Sequence, residues 1–108
     1  MAATFKNARS VLADSATTVY TCPSATTAII IGCQVANVGA ADHQLDFYWE
    51  DTSAAGTATY LADEVTVPQY AAYEPIGGKL VLEAGDIVKG LGDTASTLEV
   101  TLSVLELS

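Results

Sequence analysis

Cations are scarce in this sequence. Four lysines and arginines stand against thirteen acids in 108 residues, giving a formal charge of -9 and a pI near 4.1. Such a field repels phosphate backbones, so nucleic-acid binding is not expected. There is one histidine, which leaves few ways to pair a nucleophile with a base. Long apolar runs are missing too: the longest, Ala28-Ile-Ile-Ile-Gly-Cys33, falls far short of the roughly 20 residues of a membrane helix. The first ten residues hold Lys6 and Arg9 but no apolar segment behind them, so no secretory signal is read there. Cys22 and Cys33 are the only cysteines, eleven positions apart. One disulfide is an unusual staple for a chain able to build a core, and the pair with His43 shows no zinc-site spacing. Buried free thiols are expected.

Half of the residues are hydrophobic, and their dominant period is two, the alternation of strands with one buried face. Leu98, Val100, Leu102 and Val104 alternate with Glu99, Thr101 and Ser103. Leu45, Phe47 and Trp49 alternate with Asp46, Tyr48 and Glu50, which makes Trp49 the candidate core centre. Residues 28 to 38 are apolar on both faces, as in a central strand or one whose outer face meets another subunit. Further strands are predicted at 17 to 22, 58 to 67, 79 to 82 and 87 to 91, with turn clusters such as Gly39-Ala-Ala-Asp42, Gly77-Gly78 and Glu83-Ala-Gly-Asp86 between them. Asp63 falls on the apolar face of its strand, which predicts a bulge or an exposed end. A hairpin around Pro23 to Thr27 would set Cys22 opposite Ala28 and Cys33 opposite about Thr17, too far apart to bridge.

The expected fold is therefore all-β: a single-domain β-sandwich or jelly roll of about seven to nine short antiparallel strands. Residues 11 to 108 form that domain. Residues 1 to 10 read as an N-terminal arm that docks on a neighbour, or as a frayed terminus.

Chemistry is hard to find. His43 beside Asp42 lacks a nucleophile in a Gly-x-Ser-x-Gly setting, and the exposed-loop reading is the plainer one. Acids at Asp42, Asp46, Glu50, Asp51, Asp63 and Glu64 lack the EF-hand pattern. Gly77-Gly78-Lys79 lacks the phosphate-loop pattern and reads as a hairpin turn. No enzyme activity, cofactor or metal is expected. Partner-binding residues are better candidates: Phe5, Lys6 and Arg9 in the terminal segment, Ile30 in the doubly apolar strand, and Tyr70 and Tyr73 in the segment Gln69-Tyr-Ala-Ala-Tyr-Glu-Pro75. Tyr73 and Tyr60 could equally cap the core with wet hydroxyls.

Four stretches carry a resemblance: Thr18-Val-Tyr-Thr-Cys-Pro-Ser-Ala-Thr-Thr-Ala-Ile-Ile-Ile-Gly-Cys-Gln-Val-Ala-Asn37, Tyr48-Trp-Glu-Asp51, Glu74-Pro-Ile-Gly-Gly-Lys-Leu-Val-Leu-Glu-Ala-Gly-Asp86 and Leu98-Glu-Val-Thr-Leu-Ser-Val-Leu-Glu106. Together they resemble small virion structural proteins of tailed bacteriophages, in which a Tyr-Thr-x-Pro strand end turns into an apolar strand and Leu-x-Leu-x-x-Gly-Asp precedes the last strands. The resemblance implies a head decoration or cement subunit, or alternatively a neck, collar or tail accessory protein. It also implies a homo-oligomer, dimer or trimer, that binds the major capsid protein or neck and tail proteins, is assembled in the host bacterial cytoplasm and is located in the virion. It transfers no catalytic residues. Beside the resemblance, the alternatives from other classes are a carbohydrate-binding module, with Trp49, Tyr48, Tyr70 and Tyr73 stacking on sugars, and a small hydrolase.

Overall fold

The computed structural model describes residues 2–108, which fold into two antiparallel sheets packed face to face. The strands are β1 (Ala3–Val11), β2 (Thr17–Thr21), β3 (Thr27–Asn37), β4 (His43–Asp51), β5 (Thr57–Val67), β6 (Ala72–Tyr73), β7 (Leu80–Leu82), β8 (Ile87–Gly92) and β9 (Leu98–Leu107). One 3-10 turn, Thr52–Ala54, is the sole helical element among the described residues, and no helix is long and apolar enough to cross a membrane. The first sheet runs β1-β9-β3-β6, with β7 also on β3, and the second runs β2-β8-β4-β5. The chain changes sheet at every connection except β4–β5 and β6–β7, and the two strand orders are those of a jelly roll.

The core is made by the inward alternants the sequence advertises. Leu98, Val100, Leu102 and Val104 of β9 are all buried, as are Ala28, Ile30, Cys33 and Val35 of β3 and Leu45 and Phe47 of β4. Trp49 is displaced from the expected centre. Phe47 is wholly buried, whereas Trp49 is only partly covered, because β4 is paired to β5 with register shifts on both sides of Phe47 and Trp49 lies nearer the open end of the strand. The predicted irregularity at Asp63 is present. Leu45 pairs with Val65 and Phe47 with Ala62, so Asp46 faces two residues, and Glu64 adopts the left-handed conformation (φ 52°) with its N–H donated to Asp46 Oδ1.

Three further expectations are corrected. Strands β2 and β3 do not form a hairpin: β2 pairs with β8 and β3 with β9, so the chain crosses from one sheet to the other at residues 22–26, where Pro23, Ser24 and Ala25 are exposed. The crossing lets Val19 and Cys22 meet the inward side of β3 from the opposite sheet, burying both apolar faces where a hairpin would bury only one. The cysteines are nonetheless free and buried, Cys22 in the connection after β2 and Cys33 within β3. The second correction concerns the expected N-terminal arm. Residues 3–11 pair with β9 over its whole length from Ala3↔Leu107 to Val11↔Glu99, so they form the edge of the sandwich rather than extending from it. Unpaired backbone groups and the half-buried Ala8 draw the segment onto β9. Gly77-Gly78 is likewise no hairpin turn; it lies in the loop between β6 and β7, which both run along β3.

Candidate interaction surface

The outward face of the β1-β9-β3 sheet carries a row of apolar side chains among polar ones. Because side chains alternate, residues 3, 5, 7, 9 and 11 of β1 project away from the core. Phe5 is 75% exposed there. Across the register Phe5 faces Leu105, Leu105 faces Ile29, and Ile29 faces Val81, giving one apolar row across four strands. Leu105 and Ile29 are half-buried by their neighbours, while Val81 is 56% exposed. Ile31, 41% exposed, is pushed out where β3 bulges between Ile30 and Gly32. It separates two shallow depressions: one of about 370 Å³ between Phe5, Asn7, Ile31 and Ser103, and one of about 460 Å³ bounded by Gln34, Glu74, Ile76 and Thr101.

Beneath Phe5, on the inward side, lies a polar clasp. Lys6 Nζ is 3.0 Å from Glu106 Oε1, and the Tyr20 hydroxyl donates to Glu106 Oε2. The Tyr20 and Lys6 hydrogen bonds together hold the Glu106 carboxyl below the usual carboxylate range. Burial, with Glu106 as the second cause, pushes the Tyr20 phenol well above its ordinary value. The clasp ties β1 and β9 of one sheet to β2 of the other.

The expected partner residues are scattered by this geometry. Phe5 and Arg9 stand on the outward face of β1, and Lys6 turns inward to the clasp. Ile30 is fully buried, so outward contact from β3 falls instead to Ile29 and Ile31. Tyr70 is 72% exposed in a turn with positive φ, and Tyr73 on β6 is half-buried against the core. Leu105, Ile29 and Val81 were not singled out in the sequence, although the alternate positions of their strands carry the signal.

The other chemistry-bearing residues serve the scaffold. His43 Nδ1 lies 2.7 Å from Asp93 Oδ1, while Asp42 accepts instead from the Gln69 N–H. Partial burial opposes ionisation of Asp93, but the Gln44 N–H and the His43 ring outweigh it and keep its carboxyl below the usual range. Asp51, Glu83 and Asp86 approach within 4.8 Å of one another. Buried Asp86 spends both oxygens on backbone, accepting from Thr52 N–H and Glu83 N–H at 2.9 Å each, and so fastens two loops. Tyr48 and Tyr60 stack across β4 and β5 with ring centroids 4.9 Å apart.

No family model and no curated protein sequence matches the chain. Among solved structures it is similar to a protein described under "Bacillus endospore appendages form a novel family of disulfide-linked pili". The TM-score is 0.58 at 13% identity, covering 97% of this chain and 84% of the other. A likeness at that identity establishes the shared β-sandwich architecture.

Proposed function

We propose that the protein is a repeated, non-enzymatic structural subunit of a bacteriophage virion, a head decoration subunit that binds the capsid lattice without covalent links. The observation that carries this reading is the exposed apolar row Phe5-Leu105-Ile29-Val81 with Ile31 beside it. Contiguous apolar surface on a small acidic sandwich marks a face that meets protein. A modest face of this kind becomes effective when symmetry repeats it many times.

A second reading, a subunit of a neck, tail or filamentous appendage, is favoured by the likeness in fold to the pilus protein. Its linkage would have to be non-covalent in the folded state, since Cys22 and Cys33 are both buried.

Quantitative mass spectrometry on purified particles from the source tests both. The expected copy number is near one per major capsid protein, or a simple lattice fraction. A handful of copies moves the protein to the neck or tail, and absence from particles overturns the virion reading.

A further inference from the structure

β1 forms one border of its sheet, and none of the described strands pairs with its outer hydrogen-bonding edge. Which groups face outward follows from the ladder. Ala2 and Ser108 exchange both of their backbone hydrogen bonds, and the Leu12 N–H donates to the Leu98 carbonyl. In an antiparallel pair, hydrogen-bonded positions alternate, so the even residues of β1 bond to β9. Ala3, Phe5, Asn7, Arg9 and Val11 therefore aim their N–H and carbonyl groups away from the sheet. Over these nine residues there is no proline, and the pairing with β9 runs without a register shift. Natural sheets usually blunt such an edge. The inward Lys6 is one such device, but Glu106 neutralises it.

We infer that β1 pairs antiparallel with β1 of a second copy across a two-fold axis at Asn7, joining two sheets into one. The inference rests on the reading of the chain as a repeated structural subunit, and names the contact by which copies meet.

Three observations select this occupant and this register. First, an antiparallel pair whose hydrogen bonds use the odd residues on both strands, and which overlaps all of residues 3 to 11, must set Asn7 opposite Asn7. Second, that register is self-complementary. Phe5 faces Arg9 of the second copy on the outward side, an arrangement suited to a cation–π contact. Lys6 faces Ala8, Thr4 faces Ser10, and Ala3 faces Val11, so no like charges stand opposite each other. Third, charge leaves this border open to a second copy. Lys6 and Arg9 balance Glu99 and Glu106 of the adjacent β9, whereas the other eleven acids lie elsewhere. The border of the other sheet at β5 carries Asp63 and Glu64 at its bulge, so two β5 edges repel and are kinked. The joined sheet also brings the two apolar rows onto one continuous outward face.

The test uses the whole chain. Sedimentation velocity on the wild type is expected to show a species of twice 11.2 kDa that grows with protein concentration. Asn7→Pro removes one outward N–H and leaves the ladder to β9 intact, so it is expected to return the protein to monomer with its far-ultraviolet spectrum and melting temperature little changed. Asn7→Cys is expected to form a disulfide-linked dimer under mild oxidation, because directly paired Cα atoms lie about 5.5 Å apart, within disulfide range. Ala3→Cys, facing Val11 in this register, should remain unlinked. A wild type that stays monomeric, an Asn7→Pro dimer, or cross-linking through position 3 but not position 7 overturns the inference. Monomer in solution with the chain present in particles would refute the pairing and leave the virion reading standing. A position-7 dimer that is missing from particles would do the reverse.

Discussion

The Tyr20 hydroxyl donates to the carboxylate of Glu106, a residue 86 positions later in the chain and in the opposite sheet. With Lys6 on the other carboxylate oxygen, this is the point at which the first strand is fastened to both sheets. Strand β1 is otherwise held on one side only, so the clasp governs how readily the terminal strand detaches.

The Glu106 carboxyl is held below its ordinary value in the folded protein by Tyr20 and Lys6. A group whose folded pKa is depressed stabilises the fold above its unfolded pKa and loses that contribution as pH falls through the folded value. Stability should therefore drop on acidification below the ordinary glutamate range, with β1 loosening first. Tyr20→Phe should lower the urea midpoint at neutral pH and have little effect once Glu106 is protonated. Hydrogen exchange of the β1 amides against pH measures this, and equal sensitivity of Tyr20→Phe at neutral and acid pH would contradict it.

Phe47 and not Trp49 occupies the centre of the core. Phe47→Ala should cost about 3 to 5 kcal/mol, a large part of the total stability of a domain this size. Trp49→Ala, at a partly covered position, should cost distinctly less. Urea denaturation of the two variants decides the order, and a larger loss at Trp49 would return it to the core centre. Gly90 supports the same assignment: a Cβ there would stand 2.9 Å from Phe47 Cδ1, so Gly90→Ala should destabilise by about 1 to 3 kcal/mol through overpacking.

The period-two pattern made the strands legible, because a half-buried strand must alternate. It also marked the Asp63 bulge, since an acid on an apolar face demands a break in register. What alternation does not encode is which strand lies beside which. Residues 17 to 21 and 27 to 37 look like a hairpin because they are close in sequence, and only the need to bury both inward faces sends them to different sheets. Phe5, Lys6 and Arg9 were legible as an unusual cluster of cations and an aromatic, but their pairing with residues 101 to 105 depends on contacts nearly a hundred positions away. The apolar row was hidden for the same reason. Leu105, Ile29 and Val81 become a surface only after three registers are fixed.

The two thiols should be inert in the native protein. Burial, with Glu74 as a lesser cause, pushes the Cys33 thiol up to about 12, and burial also raises that of Cys22. The thiolate is the reactive form, so alkylation by iodoacetamide at neutral pH should be slow until denaturant is added, when both cysteines react. Mass spectrometry of the labelled chain gives the count. Rapid labelling of either cysteine in native conditions would show that the chain crossing at residues 22–26 or the inward side of β3 opens readily.

The outward apolar row makes its own demand, because surface residues that serve only the fold tolerate charge. Val81 is 56% exposed and makes its backbone pairing through Ile29 on β3. Val81→Glu should change the stability of the isolated chain by no more than about 0.5 kcal/mol, as expected of an exposed position. The same substitution inside an apolar contact leaves a desolvated charge without a partner, so attachment to particles should fall steeply. Ala84→Glu, in the exposed turn beyond β7 and off the row, adds the same charge and should leave attachment nearly unchanged. Comparing how much of each purified variant binds to particles stripped of the native subunit, alongside thermal melts, separates the two effects. Equal binding by Val81→Glu and Ala84→Glu would mean that the apolar row meets no partner there, and would shift attention to the face of the β2-β8-β4-β5 sheet.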